Sequence, residues 1–297
     1  MQKRAIILIN AKAGSDDKND ELKRVLENGF KDKIDVKIQF FKGEEIVEEI
    51  TKAITEKPDI IIAGGGDGTV NAVASQLLKT DITLGILPLG TLNHFAKDTG
   101  IPLEIDAAIR NIIDGNLVKI DAAEVNGKVF LNNSSLGIYP NIVAEREEVE
   151  SQGFGKWPSF LWAFFGVLKK YPMVRVRIET EKKSDVHKTP FVFIGNNQYI
   201  MEGFTMGGRK GLTDGKLSLF VIHRTGKLGL LRLALKALFG NVRQDKDFDA
   251  FSVREIFIES DLSVLKVSTD GEVNEMKTPL HYKILPKALT VIIPSTS

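Results

Sequence analysis

A glycine-rich segment is the clearest chemical feature of the sequence. Residues 64–69 read GGGDGT and lie between an apolar run, residues 59–63, and a helical pattern, residues 69–78. Glycines carry no side chain, so the backbone N–H groups of such a loop can approach an anion closely. The start of the following helix adds unpaired N–H donors and the positive end of the helix dipole. The segment therefore predicts a phosphate-binding loop, in which Asp67 would hold Mg²⁺ or accept a proton.

Two common phosphate-binding motifs do not match this segment. A Walker A loop needs a Lys directly after its last glycine, and none follows here. In the dinucleotide fingerprint G-x-G-x-x-G, Thr69 would occupy the position of the third glycine. The alternative interpretation is a turn that only connects a strand to a helix, but four glycines and an Asp within six residues favour a binding loop.

The elements that position this loop alternate between strand and helix over the first 120 residues. Short apolar strands separated by helices predict a parallel sheet covered on both faces. In such a sheet, ligands bind beyond the carboxyl ends of the strands, where residues 64–69 lie. The predicted strands are residues 4–9, 34–41, 59–63 and 83–87, and the predicted helices are residues 21–27, 44–55, 69–78 and 105–113.

The pattern becomes antiparallel after residue 120. Asn126-Gly127 predicts a type I′ hairpin turn between strands at residues 118–125 and 128–132. The predicted fold class is an N-terminal doubly wound α/β domain, residues 1–120, rejoined by residues 286–297, and an antiparallel β-rich sandwich domain, residues 121–285. Further strands are predicted at residues 173–179, 190–195, 216–222, 248–258, 264–268, 280–285 and 289–293.

Composition excludes several classes of function. The formal net charge of +1 gives no overall reason to expect nucleic-acid binding. The absence of cysteine excludes disulfides, zinc–thiolate sites and Cys nucleophiles, and it fits a reducing cytoplasm. The longest apolar stretch, residues 157–168, contains Pro158 and is shorter than the ~20 residues that a spanning helix requires. We therefore expect a cytoplasmic protein whose contact with the inner face of a membrane is peripheral.

Residues 65–69, GGDGT, resemble the signature of the diacylglycerol kinase catalytic domain. That superfamily includes bacterial diacylglycerol kinase-like lipid kinases, sphingosine kinases and ceramide kinases, and its nucleotide domain is similar to those of phosphofructokinases and NAD kinases. NAD kinases carry the same pentapeptide, so the pentapeptide alone leaves the choice open. Four further motifs resemble those of the lipid kinases in the same order, at residues 88–93 (PLGTLN), 135–137 (SLG), 212–217 (LTDGKL) and 270–272 (DGE).

The resemblance implies an ATP-dependent lipid kinase that uses Mg²⁺. Of the two carboxylates that compete for the role of general base, we favour Glu272 as the base and Asp67 as the organiser of Mg-ATP. The alternative for Asp270-Gly271 is a simple hairpin turn. The residues implied to hold ATP are Asn10, Ala11, Lys12, Ala13, Gly14, Gly65, Gly66, Asp67, Gly68, Thr69, Val70, Asn71, Ala72, Gly90 and Thr91.

Two departures from the family pattern affect the phosphate-binding loops. Residues 10–14 read NAKAG where the family usually has N-P-x-S-G, so a proline and a serine hydroxyl are missing from the first loop. His94 stands where the family commonly has an Asp, which removes one carboxylate from that loop. A phosphate contact and any metal–water network at these positions are therefore expected to differ.

A second, structural Mg²⁺ is implied by the resemblance of residues 212–217 to a metal-holding segment of some bacterial members. Asp214 would bind it together with the backbone carbonyls of Gly211 and Lys216, since Mg²⁺ prefers oxygen ligands. The alternative is a plain turn before the next strand. The four histidines are too far apart in sequence to show metal-ligand spacing.

Two segments bear on the lipid substrate. Residues 154–170 and 227–239 combine apolar side chains with Lys or Arg, which suits helices at an anionic membrane surface. The alternative is that both helices cover the β-rich domain. Our hypothesis is that the first segment lines the entry for a lipid tail, and the change Trp162→Asp tests it.

Three functions are compatible with these motifs. The first is a lipid kinase. The second is an NAD kinase, against which stands the lack of an Asn-Glu pair in a helix soon after Ser75. The third is a non-catalytic nucleotide- or lipid-binding regulator, against which stands the presence of both Asp67 and Glu272. The sequence does not identify the lipid, and it leaves the oligomeric state open, with a homodimer among the alternatives.

Overall fold

The computed structural model describes residues 2–11, 16–137, 173–181, 183–199, 209, 211–222 and 248–295. Its contacts divide the chain into two compact units. The first unit consists of Met1–Ile120 and Lys287–Ser297, and the second consists of Asp121–Pro286. The predicted helical segments at residues 154–170 and 227–239, and residues 12–14 of the first loop, lie outside the described residues.

The first unit is built on a parallel sheet whose strand order is β2-β1-β3-β4. The last part of β16 joins it beside β4, where Val291 pairs with Leu84 in parallel. The strands are β1 (Lys3–Asn10), β2 (Ile34–Phe41), β3 (Ile60–Gly65), β4 (Thr83–Pro88) and β16 (Leu280–Ile293), and the helices are α1 (Asp16–Phe30), α2 (Ile46–Thr55), α3 (Asp67–Leu77), α4 (His94–Asp98) and α5 (Ile105–Asp114).

Burial explains why these segments form strands and helices. Every residue of β3 is buried, as expected for a central parallel strand that is covered on both faces. Helix α5 turns Ala108, Ile109 and Ile112 towards the core, at the spacing of one helical face. These residues share a cluster with Ile7 of β1 and Ile62 of β3. Parallel pairing brings the carboxyl ends of β1, β3 and β4 to the same edge of the sheet.

The second unit contains two antiparallel sheets. One has the order β12-β11-β10-β7-β14-β15. The other has the order β16-β13-β8-β9, with β5 paired to β16 and β6 paired to β5. Side chains from both sheets form one apolar core, in which the rings of Phe130 and Tyr282 meet edge to face at 6.2 Å. The strands are β5 (Asn116–Val125), β6 (Lys128–Phe130), β7 (Asn133–Gly137), β8 (Val174–Thr180), β9 (Ser184–Thr189), β10 (Phe191–Asn196), β11 (Leu217–Ile222), β12 (Phe248–Val253), β13 (Glu255–Ser260), β14 (Val264–Thr269) and β15 (Glu272–Lys277).

This architecture confirms the predicted fold class, an α/β unit with a parallel sheet and an antiparallel sandwich. The predicted hairpin is confirmed, since Asn126 and Gly127 both have positive φ, 48° and 83°, between β5 and β6. Two strand boundaries were wrong. Residues 248–258 form two strands rather than one, and residues 280–293 form one strand rather than two.

Four elements were not predicted, namely α4, β7, β9 and β15. Strands β9 and β15 are edge strands with polar sequences, SDVHKT and EVNEMK, so they lack the alternating apolar pattern that identifies a strand in sequence. Antiparallel pairing with β8 and β14 positions them instead. Among the helices that the structure describes, none is long and apolar enough to cross a membrane.

Candidate active site

The first glycine loop, residues 64–69, joins β3 to α3 in the first unit. Helix α3 begins at Asp67, and the residue before it, Gly66, has an extended backbone with φ −90° and ψ −172°. Since Gly66 has no side chain, it cannot cap the N–H groups of the first turn. The N–H of Val70 is bonded to the carbonyl of Gly66 at 3.0 Å, while the N–H groups before it have no carbonyl within the helix. This helix start is therefore suited to an anion.

Gly65 is required by close packing within the loop. A Cβ atom placed on Gly65 would lie 2.4 Å from Oγ1 of Thr69, closer than real contacts allow. Thr69 is itself buried, and its Oγ1 accepts a hydrogen bond of 3.4 Å from Nδ2 of Asn10. The side chain of Thr69 thus links the end of β1 to the first glycine loop, so two of the predicted nucleotide-binding segments lie together.

The second glycine loop, residues 88–93, follows β4 and is closed by Asn93. This residue is buried and left-handed, with φ 50°. Its Oδ1 accepts the N–H of Gly90 at 3.1 Å, and its Nδ2 donates to the carbonyls of Pro88 at 3.2 Å and Gly90 at 2.9 Å. Asn93 therefore shapes the loop from inside, whereas Thr91 is exposed on it.

The two glycine loops touch through their backbones. The N–H of Leu89 donates to the carbonyl of Gly65 at 3.0 Å. A Cβ atom on Gly90 would lie 2.4 Å from Cα of Gly66 and 3.1 Å from its nitrogen. Because any side chain at Gly90 would displace Gly66, this contact requires a glycine. It places the second loop directly against the residue before α3.

Asp67 connects the starts of two helices. Its Oδ1 accepts the N–H of Phe95 at 3.0 Å, so the first residue of α3 orders the first turn of α4. The Asp67 side chain is half-buried, and His94, at the first position of α4, is exposed. The structure thus places a carboxylate between the two glycine loops and the helix that follows the second one.

The other predicted nucleotide-binding residues take different positions. Val70 is buried in the core, so its side chain packs inside the unit and does not face a bound nucleotide. Asn71 and Ala72 follow it on α3 and are half-buried, and Gly68 is exposed. The N–H of Ala11 donates to the carbonyl of Phe41 at 2.9 Å, which joins the end of β1 to the end of β2.

Glu272 lies in the second unit at the end of a tight hairpin. Asp270 and Gly271, with φ 48° and 89°, form the two-residue turn between β14 and β15, and Thr269 pairs with Glu272 across it. We call residues 269–272 the Glu272 turn. The Glu272 side chain is 64% exposed, and its Oε2 lies 3.2 Å from Nζ of Lys128. The hairpin turn that was the alternative interpretation of Asp270-Gly271 is therefore present, and Glu272 beside it has an accessible carboxylate.

Asp270 was identified from the sequence as part of the DGE motif, or of a turn, but the hydrogen bonds of its carboxylate were not predicted. Oδ2 of Asp270 accepts the N–H of Leu131 at 2.7 Å, and Oδ1 accepts those of Asn132 at 2.9 Å and Asn133 at 3.0 Å. These partners are 137 to 139 residues away in sequence, so no local pattern could have indicated them.

The segment predicted to hold a structural metal is a tight loop before β11. A Cβ atom on Gly211 would lie 3.2 Å from Oδ1 of Asp214, so these two residues are neighbours. Oδ2 of Asp214 accepts the N–H of Gln198 at 3.1 Å. The loop is anchored by Asp121, a residue that sequence reasoning missed. Its buried carboxylate accepts the N–H of Gly215 at 2.7 Å.

Among the described residues, no group of three or more His, Cys, Asp or Glu side chains could hold a metal ion. Gly211 and Lys216 would supply backbone carbonyl oxygens beside the single carboxylate of Asp214. That donor set consists of oxygen atoms alone and fits a hard cation such as Mg²⁺ in chemical type.

An α/β unit with two glycine loops at one sheet edge, followed by an antiparallel sandwich, is the arrangement that the resemblance to diacylglycerol kinase-like proteins implied. A family model described as “Diacylglycerol kinase catalytic domain” matches residues 4–125. A second, “YegS C-terminal NAD kinase beta sandwich-like domain”, matches residues 143–293. The chain belongs to the family of YegS-like lipid kinases, and it is a kinase. The resemblance inferred from the sequence motifs is thereby confirmed.

Known relatives match over nearly the whole chain. A Pectobacterium atrosepticum protein named “Probable lipid kinase YegS-like” is 30% identical over 97% of this chain and 95% of its own length. An uncharacterized Synechocystis protein is 29% identical over 97% of this chain and 70% of its own length. A solved Bacillus anthracis structure, described as “a putative diacylglycerol kinase”, is 28% identical with a TM-score of 0.75, covering 98% of this chain and 97% of that one.

Proposed function

We propose that this kinase transfers the γ-phosphoryl group of ATP to a hydroxyl group of a lipid. The observation that carries the proposal is the contact between the two glycine loops, in which Gly90 lies against Gly66 at the start of α3. Because neither glycine carries a side chain, an anion can approach the N–H groups at the start of α3 closely. The names of the relatives support a lipid as the acceptor.

The proposed roles follow from the positions of the side chains. The phosphates of ATP would bind the N–H groups at the start of α3, beside Asn10 and Gly90. Asp67 would hold the Mg²⁺ that accompanies ATP, because its carboxylate is positioned by the N–H of Phe95 and supplies the hard oxygen ligand that this ion prefers. The ion would neutralise charge on the phosphate oxygens.

Glu272 is the proposed general base. Its exposed carboxylate would take the proton of the lipid hydroxyl while that oxygen forms a bond to the γ-phosphorus. The bond between the γ-phosphorus and the bridging oxygen breaks in the same transfer, and ADP leaves with the electron pair. The lipid leaves as a phosphate monoester.

Two further parts of the proposal concern a second metal and the membrane. A structural Mg²⁺ would bind Asp214 and the carbonyls of Gly211 and Lys216, which is supported by the closeness of Gly211 to the Asp214 carboxylate. A lipid acceptor resides in a bilayer, so we also propose peripheral contact of a cytoplasmic protein with the inner face of the membrane.

The test is an assay of the purified protein with Mg-ATP and a panel of acceptors. The panel contains vesicles with diacylglycerol, monoacylglycerol, phosphatidylglycerol or a sphingoid base, and NAD in solution. We expect ATP-dependent phosphorylation of one lipid, and mass analysis of lipid that co-purifies with the protein should identify the same class. Phosphorylation of NAD alone would favour the NAD kinase alternative, and ATP binding without turnover of any acceptor would favour a regulator.

A further inference from the structure

We propose that Asp270 is a positioning residue that holds the Glu272 turn in its catalytic place. The inference rests on the proposed function, in which Glu272 is the base. Its starting point is the pair of hydrogen-bonded oxygens on Asp270, which accept three consecutive backbone N–H groups at residues 131–133. The N–H of Asp270 also donates to the carbonyl of Asn133 at 2.8 Å.

The N–H groups of residues 131–133 form a concave site for an anion. Successive N–H groups that converge on one point create a region of positive potential, which a carboxylate fills well. Hydrogen bonds to an ionised acceptor are also stronger than those between neutral groups. The negative charge of Asp270, and not only its shape, therefore attaches the Glu272 turn to this segment.

The segment that receives Asp270 is itself held firmly from the other side. The carbonyl of Leu131 accepts hydrogen bonds from Nδ2 of Asn196 at 2.8 Å and from Nη1 of Arg209 at 2.7 Å. The N–H of Asn196 donates to the carbonyl of Asn132 at 2.9 Å. Asn196 is fully buried. Asp270 thus attaches the turn to a rigid part of the sandwich.

Glu272 has little to hold it by itself. Its side chain is largely exposed, and its ion pair with Lys128 spans 3.2 Å. Exposed ion pairs of this kind contribute little to a defined position. A general base must lie within hydrogen-bond reach of the proton that it removes. The place of Glu272 is therefore set by its backbone, which follows directly from the turn that Asp270 anchors.

The central variant is Asp270→Asn, which keeps the size of the side chain but removes its charge. At least one of the three N–H groups would then face the amide NH₂ or lose its partner. We expect kcat to fall about 100-fold, the cost of misplacing a reacting group by roughly 1 Å. The KM for ATP should stay within about twofold of the wild-type value, because the glycine loops are unaltered.

A double-variant cycle distinguishes positioning from other roles. If Asp270 acts only through Glu272, then Asp270→Asn should cause no further loss of kcat in the Glu272→Gln background. An equal loss in both backgrounds would overturn the proposal, and so would a lowered melting temperature with unchanged kcat. Wild-type turnover by the single variant Glu272→Gln would instead refute the role of Glu272 as general base. That measurement tests the proposed function, whereas the cycle tests the role of Asp270.

Two further variants complete the design. Asp261→Asn is the matched control, since Asp261 lies on the preceding turn, at the other end of β14 from the Glu272 turn, and its side chain is 74% exposed. We expect it to leave kcat unchanged. If Asp270→Asn does not fold, Asp270→Glu keeps the charge on a longer side chain, and an intermediate kcat is expected. A loss of kcat in the folded Asp270→Glu variant that is equally large in the Glu272→Gln background would then contradict the proposal.

Discussion

The glycine loops of the first unit are held by contacts between backbones, whereas the Glu272 turn of the second unit is held by a side chain. The loops meet backbone to backbone, with Gly90 against Gly66 and no room for a side chain between them. The Glu272 turn is held by a side chain, the carboxylate of Asp270, which is bonded to the backbone of a distant segment. The contact between the glycine loops requires that Gly90 has no side chain, and the Glu272 turn requires the negative charge of Asp270.

The interiors of the two units also differ, because polar side chains contribute more to the second. In the first unit, the strands are covered by apolar residues such as Ile7 and Ile62. The second unit buries paired polar groups within its sandwich, among them Asn196, Ser134 and Tyr282. Buried polar groups contribute stability only while their hydrogen bonds are complete. We therefore expect the first unit to be sensitive to added volume and the second to altered polarity.

The largest effect is expected from Gly90→Ala. The added Cβ would lie 2.4 Å from Cα of Gly66, so one of the two backbones must move and the N–H groups at the start of α3 lose their arrangement. We expect kcat/KM for ATP to fall more than about 100-fold, as for a misplaced reacting group. Calorimetric titration with Mg-ATP and steady-state kinetics measure the change.

Gly43→Ala is the control for that comparison. A Cβ on Gly43 would have nothing within 4 Å. We expect nucleotide affinity to remain at the wild-type value in this variant. Equal ATP affinity of Gly90→Ala and the wild type would show that the contact between the glycine loops is not needed for binding.

A loss of comparable size, but in kcat alone, is expected from Asp67→Asn. The amide oxygen can still accept the N–H of Phe95, but the negative charge that would hold Mg²⁺ is lost. We expect kcat to fall by about 10²–10³, the range for removing one electrostatic group from an active site. The melting temperature should change little. Kinetics at several Mg²⁺ concentrations should show weaker dependence on the metal.

Asp59→Asn is matched to that change. Asp59 lies directly before the first residue of β3, whereas Asp67 follows the last. Oδ2 of Asp59 accepts the N–H of Arg4 at 2.8 Å, so both carboxylates accept a backbone N–H. We expect wild-type kcat for Asp59→Asn. If the two variants lost activity equally, the loss would arise from weakening a hydrogen bond between a carboxylate and the backbone rather than from a role of Asp67 at the nucleotide.

The smallest effect is expected in the second unit, from Tyr282→Phe. The Tyr282 hydroxyl lies 3.1 Å from Oγ of Ser134 inside the sandwich. Its loss leaves the Ser134 hydroxyl unpaired, so we expect the free energy of unfolding at pH 7 to fall by about 1 kcal/mol. Urea denaturation measures it, and the double change with Ser134→Ala should recover most of the loss. No recovery would show that the two hydroxyls are not coupled.

Tyr282 should also make the stability depend on alkaline pH. Burial raises the pKa of Tyr282 well above its usual value. A group whose pKa is higher in the folded state contributes stability that is fully present below the unfolded pKa, about 10 for Tyr, and that declines as pH rises above it. We expect a loss of about 1.4 kcal/mol per pH unit above about pH 10, which Tyr282→Phe should lack.

Local signals explain which elements the sequence predicted well. Strand β2 has the predicted bounds, because Ile34–Phe41 is flanked by polar residues that end the strand pattern. The hairpin at Asn126 and Gly127 was predicted because that dipeptide readily adopts positive φ at both positions. Helix α4 was missed, since it has only five residues and starts from the left-handed Asn93, whose conformation depends on the second glycine loop.

The sequence by itself determined the glycine loops, the alternation of strands and helices in the first unit, and the family motifs. The physical reason is that backbone freedom and hydrophobic periodicity are properties of neighbouring residues. Tertiary structure alone decided that Gly90 lies against Gly66 and that Asp270 bonds the N–H groups at residues 131–133. Such contacts join residues that are far apart along the chain, so they exist only once the sheets have paired.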